Sequence, residues 1–479
     1  MPFSLFSALF LCAVTVLYFV LWKGLRPFVL LAASLAYIAY LSPRACIWVC
    51  GLSLAVYAGA LSIQRRRDEG NTDAAKRLKY VLIALLVLLL AVMKFVSSGI
   101  FFHGPPEEGE GGILRHLLLP LGLSYYLFQA VGYLTDVERG TVTAEKNPVH
   151  FLLYMTFFPK FVSGPIERAE TFLSGVKQLS TVRLTDPHRC SLALSYLLYG
   201  YFMKTVLADR MSLYASRLLL EPHRYGYLLL LAGMLFYTLQ IYCDFAGYSA
   251  IALGISHLFG LSLTENFHAP YLSTNITVFW RRWHRSLSMW LRDYLYIPLG
   301  GSRKGLQRKR INTMIVFLVC GLWHGTGWHF VIWGLLHGLY SVIHSAWQEK
   351  FGKKEAVTLW KKLPLIALTF FCVAFAWIFF GSPDAGTAFV YIRRMLTLQA
   401  GDTALGVIMT DRVLLVVLLP LALFFDMLCL KKDKPVGEAM QQLPYVPRYV
   451  IYYLLIVVIY LFGVYGPGYD AGSFMYMEF

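Results

Sequence analysis

The 479-residue sequence is 58% hydrophobic and only 15% charged, whereas a soluble globular chain carries about 25% charged residues. Apolar runs close to the roughly 20 residues that a helix needs to cross a bilayer recur along the chain, which excludes a soluble protein. The net charge of +16 would suggest a nucleic-acid partner in a soluble chain, but here the basic residues lie in short segments between apolar runs, so no nucleic acid is expected.

The apolar runs predict a polytopic all-α integral membrane protein with about 11–12 spans and a single domain over residues 1–479. Alternation with a period of two is absent and an open sheet edge cannot face lipid, so the spans are predicted as helices. Short runs near 151 and 247 are predicted as re-entrant segments. The spans are expected to start near residues 3, 27, 45, 80, 116, 190, 226, 311, 328, 363, 413 and 449.

The distribution of charge predicts the orientation, because cytoplasmic loops carry an excess of Lys and Arg. Residues 64–79 hold six basic residues, and residues 281–310 hold nine beside the single acid Asp293. We expect both segments in the cytoplasm, together with the basic residues at 346–362 and 431–434. The acidic segment 103–112 is expected outside, and threading the spans through these anchors puts both termini outside.

Ionisable residues inside apolar runs are costly in a bilayer, so each is a candidate for function. Asp244 lies near the inner end of an apolar helix in QIYCDFAGYSA (240–250). Its carboxylate either caps or pairs with a neighbouring arginine, or lines a site, and the sequence leaves both alternatives open.

The segment 275–305 predicts one amphipathic helix at the membrane surface. Apolar and aromatic residues share one broad face with His284, while Arg281, Arg285 and Arg292 lie on another. With Arg282, these arginines are candidates to bind the phosphates of a coenzyme or of a carrier's prosthetic group, because guanidinium groups bind phosphate bidentately. Contact with anionic lipid headgroups is the alternative interpretation.

His324 lies in a glycine-rich break between two apolar helices in residues 311–340. Thirteen residues of helix from Ile311 climb about 20 Å from the cytoplasmic anchor, so the imidazole is expected deep in the membrane. Irregular backbone at that depth is tolerated only against protein or a water-filled cavity, which Trp323 is expected to help line. His329 and His337 are interpreted as structural.

An imidazole at this depth can take a proton from a hydroxyl that attacks an activated acyl carbon. His324 is therefore the candidate general base, and His284 the candidate second group that orients the donor or stabilises the oxyanion. No metal site is expected, because the histidines lack the tight spacing and the carboxylates of zinc enzymes. No permanently bound cofactor is expected either.

Five sequence blocks in order resemble the membrane-bound O-acyltransferase (MBOAT) family, in its bacterial branch of alginate O-acetyltransferases and teichoic-acid D-alanyl transfer proteins. The resemblance runs from about residue 115 to the C-terminus, with the core at about 115–345, and implies a ring of helices around a tunnel. It also implies that His324 is the catalytic histidine and His284 the second family position. Ala250 stands where the branch usually carries an acid. The blocks are LPLGLSYYLFQAVGYLTDVERG, FFPKFVSGPIER, QIYCDFAGYSAIALG, FWRRWHRSLSMWLRDYLYIPLGG, and GLWHG followed by WGLLHG.

The final residues 474–479, FMYMEF, resemble an ending found on some bacterial members or on their small partner proteins, where the tyrosine receives the acyl group. Tyr476 is thus the candidate acyl relay to an extracytoplasmic, SGNH-type transferase. An aromatic tail resting in the membrane interface is the alternative.

The leading hypothesis for function is an O-acetyltransferase in the inner membrane of a bacterium that uses acetyl-CoA and serves an extracytoplasmic polysaccharide. D-alanyl transfer from a carrier protein to teichoic acid is the alternative within the same chemistry. A transporter or flippase of lipid-linked precursors is a further alternative, but the inverted repeats typical of that class are not found in the sequence.

Overall fold

The computed structural model describes residues 5–97, 121–352, 358–402 and 413–464. Within these ranges the chain is helical, and the only strand-like pairing is an isolated bridge between Tyr225 and Asp402. The described helices group into two compact units, of residues 1–193 with 252–264 and of residues 194–251 with 265–479. Because the units interleave along the chain, they are not sequential domains, and the single domain predicted for residues 1–479 stays a prediction.

In the first unit, the helix Pro43–Asp68 starts at a proline that follows a polar cap. Ser42 accepts a hydrogen bond from the Ala45 amide, and Pro43, which has no amide hydrogen, follows it, so fewer donors are left unsatisfied where the helix begins. Its helices are α1 (Leu5–Val20), α2 (Arg26–Leu41), α3 (Pro43–Asp68), α4 (Thr72–Ser97), α5 (Leu123–Arg139), α6 (Pro148–Thr156), α7 (Ala169–Lys177) and the start of α8 (Pro187–Tyr201).

The core of the first unit contains a buried lysine with polar partners. Lys160 is 1% exposed, donates to the Tyr154 carbonyl at 2.6 Å, and also contacts Gln129 Oε1. Glu167 is similarly buried and accepts from the amide and hydroxyl of Thr264. Buried charges are retained only when such partners satisfy them, so this cluster fixes the packing of the unit.

The second unit carries the residues that the sequence analysis singled out. Helix α8 continues into a π-helix at Phe202–Ala208, and further π-helical turns lie at Arg292–Tyr296 and Leu414–Leu418. The α-helices are α9 (Asp209–Leu220), α10 (Tyr227–Leu258, whose last turns belong to the first unit), α11 (Ile276–Arg282), α12 (Arg285–Leu291), α13 (Leu306–His324), α14 (Trp328–Phe351), α15 (Leu359–Gly381), α16 (Ala385–Leu396), α17 (Leu419–Lys432), α18 (Val436–Gln441) and α19 (Tyr445–Phe462).

Eight helical segments in the described ranges are long and apolar enough to cross a membrane. This confirms a polytopic helical protein, although fewer segments qualify than the twelve predicted starts. The run near 3 forms α1, whose apolar segment Phe6–Val20 is shorter than a span. The run near 116 starts outside the described residues. The runs near 311 and 328 form α13 and α14, which do not qualify. The eight are Lys23–Leu41, Pro43–Asp68, Thr72–Val96, Pro187–Leu220, Tyr227–Leu258, Trp360–Gly381, Leu414–Lys432 and Tyr445–Phe462.

The re-entrant segment predicted near 247 is wrong, because α10 runs without interruption through it. Gly247 serves close helix packing instead of a break: a Cβ there would lie 2.8 Å from the Lys204 amide nitrogen and 2.9 Å from the Gly200 carbonyl oxygen. The segment predicted near 151 forms the short helix α6. A glycine in an apolar run therefore indicates a contact between backbones as readily as a loop.

Candidate active site

Helices α13 and α14 form a hairpin whose backbones touch at two glycines. A Cβ on Gly321 would lie 2.4 Å from the Phe330 carbonyl oxygen, and one on Gly334 would lie 2.4 Å from the Phe317 carbonyl oxygen. No side chain fits at either position, so glycine permits this crossing. The hairpin turns at Gly325–Gly327, directly after His324, the last residue of α13.

His324 is 4% exposed and surrounded by aromatic rings of the second unit. Its ring centroid lies 4.8 Å from that of Trp323, 5.1 Å from Trp333 and 5.0 Å from Phe380. All three contacts are edge-to-face, the arrangement that aromatic pairs prefer. An imidazole held in this way has a fixed orientation and little access to bulk water.

The single amphipathic helix predicted over 275–305 is wrong, because the chain breaks at His284. Helix α11 ends at Arg282 and α12 begins at Arg285, and His284 between them has φ 42° and ψ 56°. This left-handed conformation stops an α-helix. A residue other than glycine adopts it only where the surrounding structure compensates the strain. The periodicity of the aromatic residues carried no signal of the break.

Asn266 supplies that compensation. Its carbonyl oxygen accepts from the Arg285 amide at 3.0 Å, and its Oδ1 accepts from the Ser286 amide and hydroxyl at 3.3 and 2.7 Å. The Asn266 amide group donates in turn to Ser249 Oγ at 3.3 Å. The first turn of α12 is thus capped by a buried side chain from another segment, a role that sequence reasoning missed because one asparagine in a polar stretch gives no signal.

The break brings the two predicted histidines into one aromatic cluster. His284 is 1% exposed, with its ring 4.7 Å from Phe245 and 6.3 Å from Trp323. Trp323 therefore contacts both His284 and His324, and its role in lining a site stays a prediction. The cluster also includes Trp333 and Phe380, for which the sequence offered no signal beyond general aromatic content.

The four arginines predicted to bind the donor have different surroundings. Arg285 pairs with Glu265 at 2.8 Å, and Arg292 pairs with Asp293 at 2.6 Å. Arg282 donates to the Leu272 carbonyl at 3.3 Å. Arg281 is exposed and forms no ion pair within the described part of the chain. Their role in donor binding stays a prediction, and Arg281 is the member whose charge is most available.

Asp244 forms an ion pair, but its partner is a lysine and not the neighbouring arginine that the sequence suggested. The Lys204 ammonium lies 2.6 Å from Asp244 and 2.8 Å from Asp209, and all three side chains are largely buried. Lys204 belongs to the π-helix Phe202–Ala208. The position of Asp244 as a site-lining residue stays a prediction.

Two other expectations concern the C-terminal tail and metal binding. Tyr476 and the tail 474–479 lie outside the described residues. Within the described ranges, no group of three or more His, Cys, Asp or Glu side chains is arranged to hold a metal ion.

Comparison with known proteins identifies the family to which the chain belongs. A model described as the MBOAT, membrane-bound O-acyltransferase family, matches residues 115–380, a range that includes both histidines and Trp323. The chain is 34% identical to the probable alginate O-acetylase AlgI of Pseudomonas putida over 347 residues, which covers 72% of this chain and 70% of that protein.

Two relatives carry other names. The chain is 33% identical to the peptidoglycan O-acetyltransferase of Helicobacter pylori over 308 residues, 59% of this chain and 58% of that protein. It is 31% identical to the teichoic acid D-alanyltransferase of Bacillus subtilis over 345 residues, 68% of this chain and 82% of that protein. With the family model over more than half of its length and two buried histidines in one aromatic cluster, the chain belongs to the membrane-bound O-acyltransferase family and is an acyltransferase.

Proposed function

We propose that the protein transfers an acetyl group from acetyl-CoA in the cytoplasm to hydroxyl acceptors outside it, for O-acetylation of an extracytoplasmic polysaccharide. Its location is the inner membrane of a bacterium. The single observation that carries this proposal is the burial of His324 among Trp323, Trp333 and Phe380 at the end of α13. The names of the alginate and peptidoglycan acetylating relatives support the acetyl group and the polymer.

The chemistry requires one base and one polarising group. The acceptor hydroxyl attacks the thioester carbonyl carbon while His324 takes its proton. The tetrahedral intermediate collapses as the carbon–sulfur bond breaks, and the thiolate of the coenzyme takes that proton from the imidazolium. His284, which shares Trp323 with the base, is the candidate to orient the donor.

The donor's phosphates cannot enter hydrocarbon, so the coenzyme stays on the cytoplasmic side and only the acyl group reaches the base. Arg281 and its basic neighbours, from Arg282 to Arg292, are the candidates to hold those phosphates. On the outer side a polysaccharide chain is too bulky to reach a buried imidazole. Tyr476 is proposed to receive the acyl group and to pass it to an extracytoplasmic SGNH-type transferase that modifies the polymer.

The base is tested with purified protein in lipid nanodiscs and radiolabelled acetyl-CoA. His324→Ala is expected to reduce transfer about 100- to 10,000-fold, because proton transfer by a positioned side chain supplies that factor. His329→Ala is the matched control: His329 lies on the same hairpin, and its ring contacts Phe330 rather than the cluster. Near-normal transfer by a well-folded His324→Ala protein would contradict the assignment.

D-alanyl transfer is the second candidate, supported by the similarity to the Bacillus subtilis protein. The two donors are compared in one assay, with acetyl-CoA in one arm and a D-alanyl thioester of a carrier protein in the other. Transfer from the carrier alone would replace acetylation by D-alanylation as the function.

The relay is tested by intact-mass spectrometry of the C-terminal peptide after incubation with donor. Tyr476→Phe keeps the apolar ring and removes only the nucleophilic oxygen, so it is expected to abolish the acylated peptide and polymer acylation in cells. Tyr469→Phe, in the same C-terminal segment, is the control. Full polymer acylation by the Tyr476→Phe protein would favour direct transfer to the acceptor.

A further inference from the structure

His337 lies on α14, 0% exposed, inside a group of aromatic rings. Its ring stacks on Phe279 and is edge-on to Trp280 and Trp333. Nδ1 accepts a hydrogen bond from the Trp280 indole nitrogen at 3.3 Å. Because that nitrogen is an acceptor, the neutral imidazole carries its proton on Nε2, which is therefore a donor.

Nε2 of His337 has no hydrogen-bond partner among the described residues, and the same holds for the indole nitrogen of Trp333. Trp333 is 1% exposed. The two residues are four positions apart on α14 and their ring centroids are 5.0 Å apart, so both donors belong to one face of one helix. A buried N–H without an acceptor is destabilising, so an acceptor from outside the described chain would stabilise both groups.

Trp333, one of the two donors, lies next to the proposed base. The Trp333 ring centroid is 5.1 Å from that of His324, and the rings of Trp377 and Phe380 pack on the other sides of Trp333. Trp333 therefore contacts both the proposed base and His337.

We propose that Trp333 Nε1–H and His337 Nε2–H donate hydrogen bonds to the carbonyl oxygen of the acyl group during transfer, an inference that rests on the proposed function. When the acceptor hydroxyl attacks, the carbonyl π electrons move to the carbonyl oxygen, and the proton of the hydroxyl passes to His324. When the intermediate collapses, the electron pair returns, the carbon–sulfur bond breaks, and the leaving thiolate takes the proton. Both residues touch the reacting oxygen and are thus catalytic residues for the charge that develops on it.

The chemistry of the surroundings favours an acyl carbonyl over a resident water. A buried water normally makes about three hydrogen bonds and donates two of them. Here the nearest groups are two donors and the rings of Phe279, Trp280 and Trp377, which accept hydrogen bonds poorly. A carbonyl oxygen has two lone pairs for the two donors, and its small methyl substituent suits the apolar rings.

The test compares His337→Phe, which keeps an aromatic ring but no donor, with His337→Gln, whose amide N–H reaches a similar position. In nanodiscs, His337→Phe is expected to lower kcat roughly 100- to 1,000-fold with little change in KM, because the donor acts mainly in the transition state. His337→Gln is expected to recover at least about tenfold of that loss, and Trp333→Phe to lower kcat similarly. The matched control is His344→Phe, two turns along the same helix and half-buried.

A second measurement separates this role from a structural one. The protein is loaded with a non-transferable acetonyl thioether of coenzyme A, labelled with ¹³C at the carbonyl, and its infrared carbonyl band is recorded. Hydrogen bonds from Trp333 and His337 are expected to lower the band frequency in the wild type. The His337→Phe substitution is expected to shift the band back upward.

Wild-type kcat for His337→Phe, or equal kcat for the Phe and Gln variants, would overturn this inference while the proposed function stands. A carbonyl band at the same frequency in the His337→Phe protein as in the wild type would also overturn this inference. A wild-type protein that transfers no acyl group from any thioester would overturn the proposed function, and this inference with it.

Discussion

The α13–α14 hairpin and the α11–α12 pair each deliver one buried histidine to the same aromatic cluster, but by different means. In the hairpin, α13 ends at His324 because the glycine-rich turn Gly325–Gly327 follows, and the crossing at Gly321 and Gly334 sets the position of the imidazole. In the pair, His284 itself takes the left-handed conformation and ends the helix from within.

This difference decides which side chains are replaceable. In the hairpin, backbone geometry rests on glycines that take no part in chemistry, so the histidine can be changed without disturbing the fold. In the pair, the residue that shapes the turn is also the candidate for chemistry, and Asn266 holds the turn from outside. The hairpin thus separates structure from function, while the pair joins them in one residue.

Gly321→Ala is expected to give the largest effect on the hairpin. The added methyl group would lie 2.4 Å from the Phe330 carbonyl oxygen, and backbone cannot move aside as a flexible side chain can. Overpacking of this kind costs about 1–3 kcal/mol and occasionally more. We expect a lower unfolding temperature in nanodiscs and a loss of acyl transfer, because displacement of α14 moves Trp333 away from His324.

Gly338→Ala is the matched control on the same hairpin. Its methyl group would meet the Met314 sulfur at 2.9 Å, in an unbranched side chain that can rotate away, and the Phe317 Cβ at 3.2 Å, an overlap that a small shift relieves. We expect a small change in stability and near-normal transfer. Equal losses for the two variants would contradict the idea that backbone contact at Gly321 sets the geometry.

The sequence predicted the hairpin better than the pair, for physical reasons. Glycines beside a histidine in an apolar run already indicate a break, so the position of His324 at a helix end was predictable. The break at His284 depends on Asn266 and on packing against Phe245, contacts between segments far apart in sequence. A periodic pattern cannot carry such information, and the same applies to Lys204 as the partner of Asp244 and to the donors on Trp333 and His337.

A series at position 284 tests whether turn and chemistry share one residue. His284→Asn is expected to keep the fold, because asparagine tolerates the left-handed conformation, while acyl transfer falls. His284→Val is expected to destabilise the protein by about 1–2 kcal/mol more than Asn, since a β-branched residue adopts this conformation poorly.

Unfolding temperature and transfer rate, measured together on both variants, separate the two roles of His284. Full activity of His284→Asn would show that the imidazole is a turn residue only. Equal stability of the Asn and Val variants would mean that the left-handed conformation is not what holds α11 and α12 apart.

The smallest expected effects concern two exposed arginines, Arg281 in α11 and Arg292 directly after α12, which make a matched comparison. Both side chains are exposed, but the Arg292 guanidinium is already bonded to Asp293, while Arg281 has no ion-pair partner among the described residues. A free guanidinium about 4 Å from a phosphate contributes about 1 kcal/mol in water, a factor of about five in affinity. Arg281→Gln is therefore expected to weaken acetyl-CoA binding about fivefold at low salt, and Arg292→Gln less, because Asp293 already offsets part of that charge.

The difference between wild type and Arg281→Gln should shrink toward 1 M salt, where the screening length falls to about 3 Å. Binding is measured by isothermal titration in nanodiscs of neutral lipid at several salt concentrations. If Arg281→Gln binds the donor as the wild type does, but reconstitutes less well into bilayers with anionic lipid, then this arginine contacts headgroups. The donor's phosphates must in that case be held elsewhere.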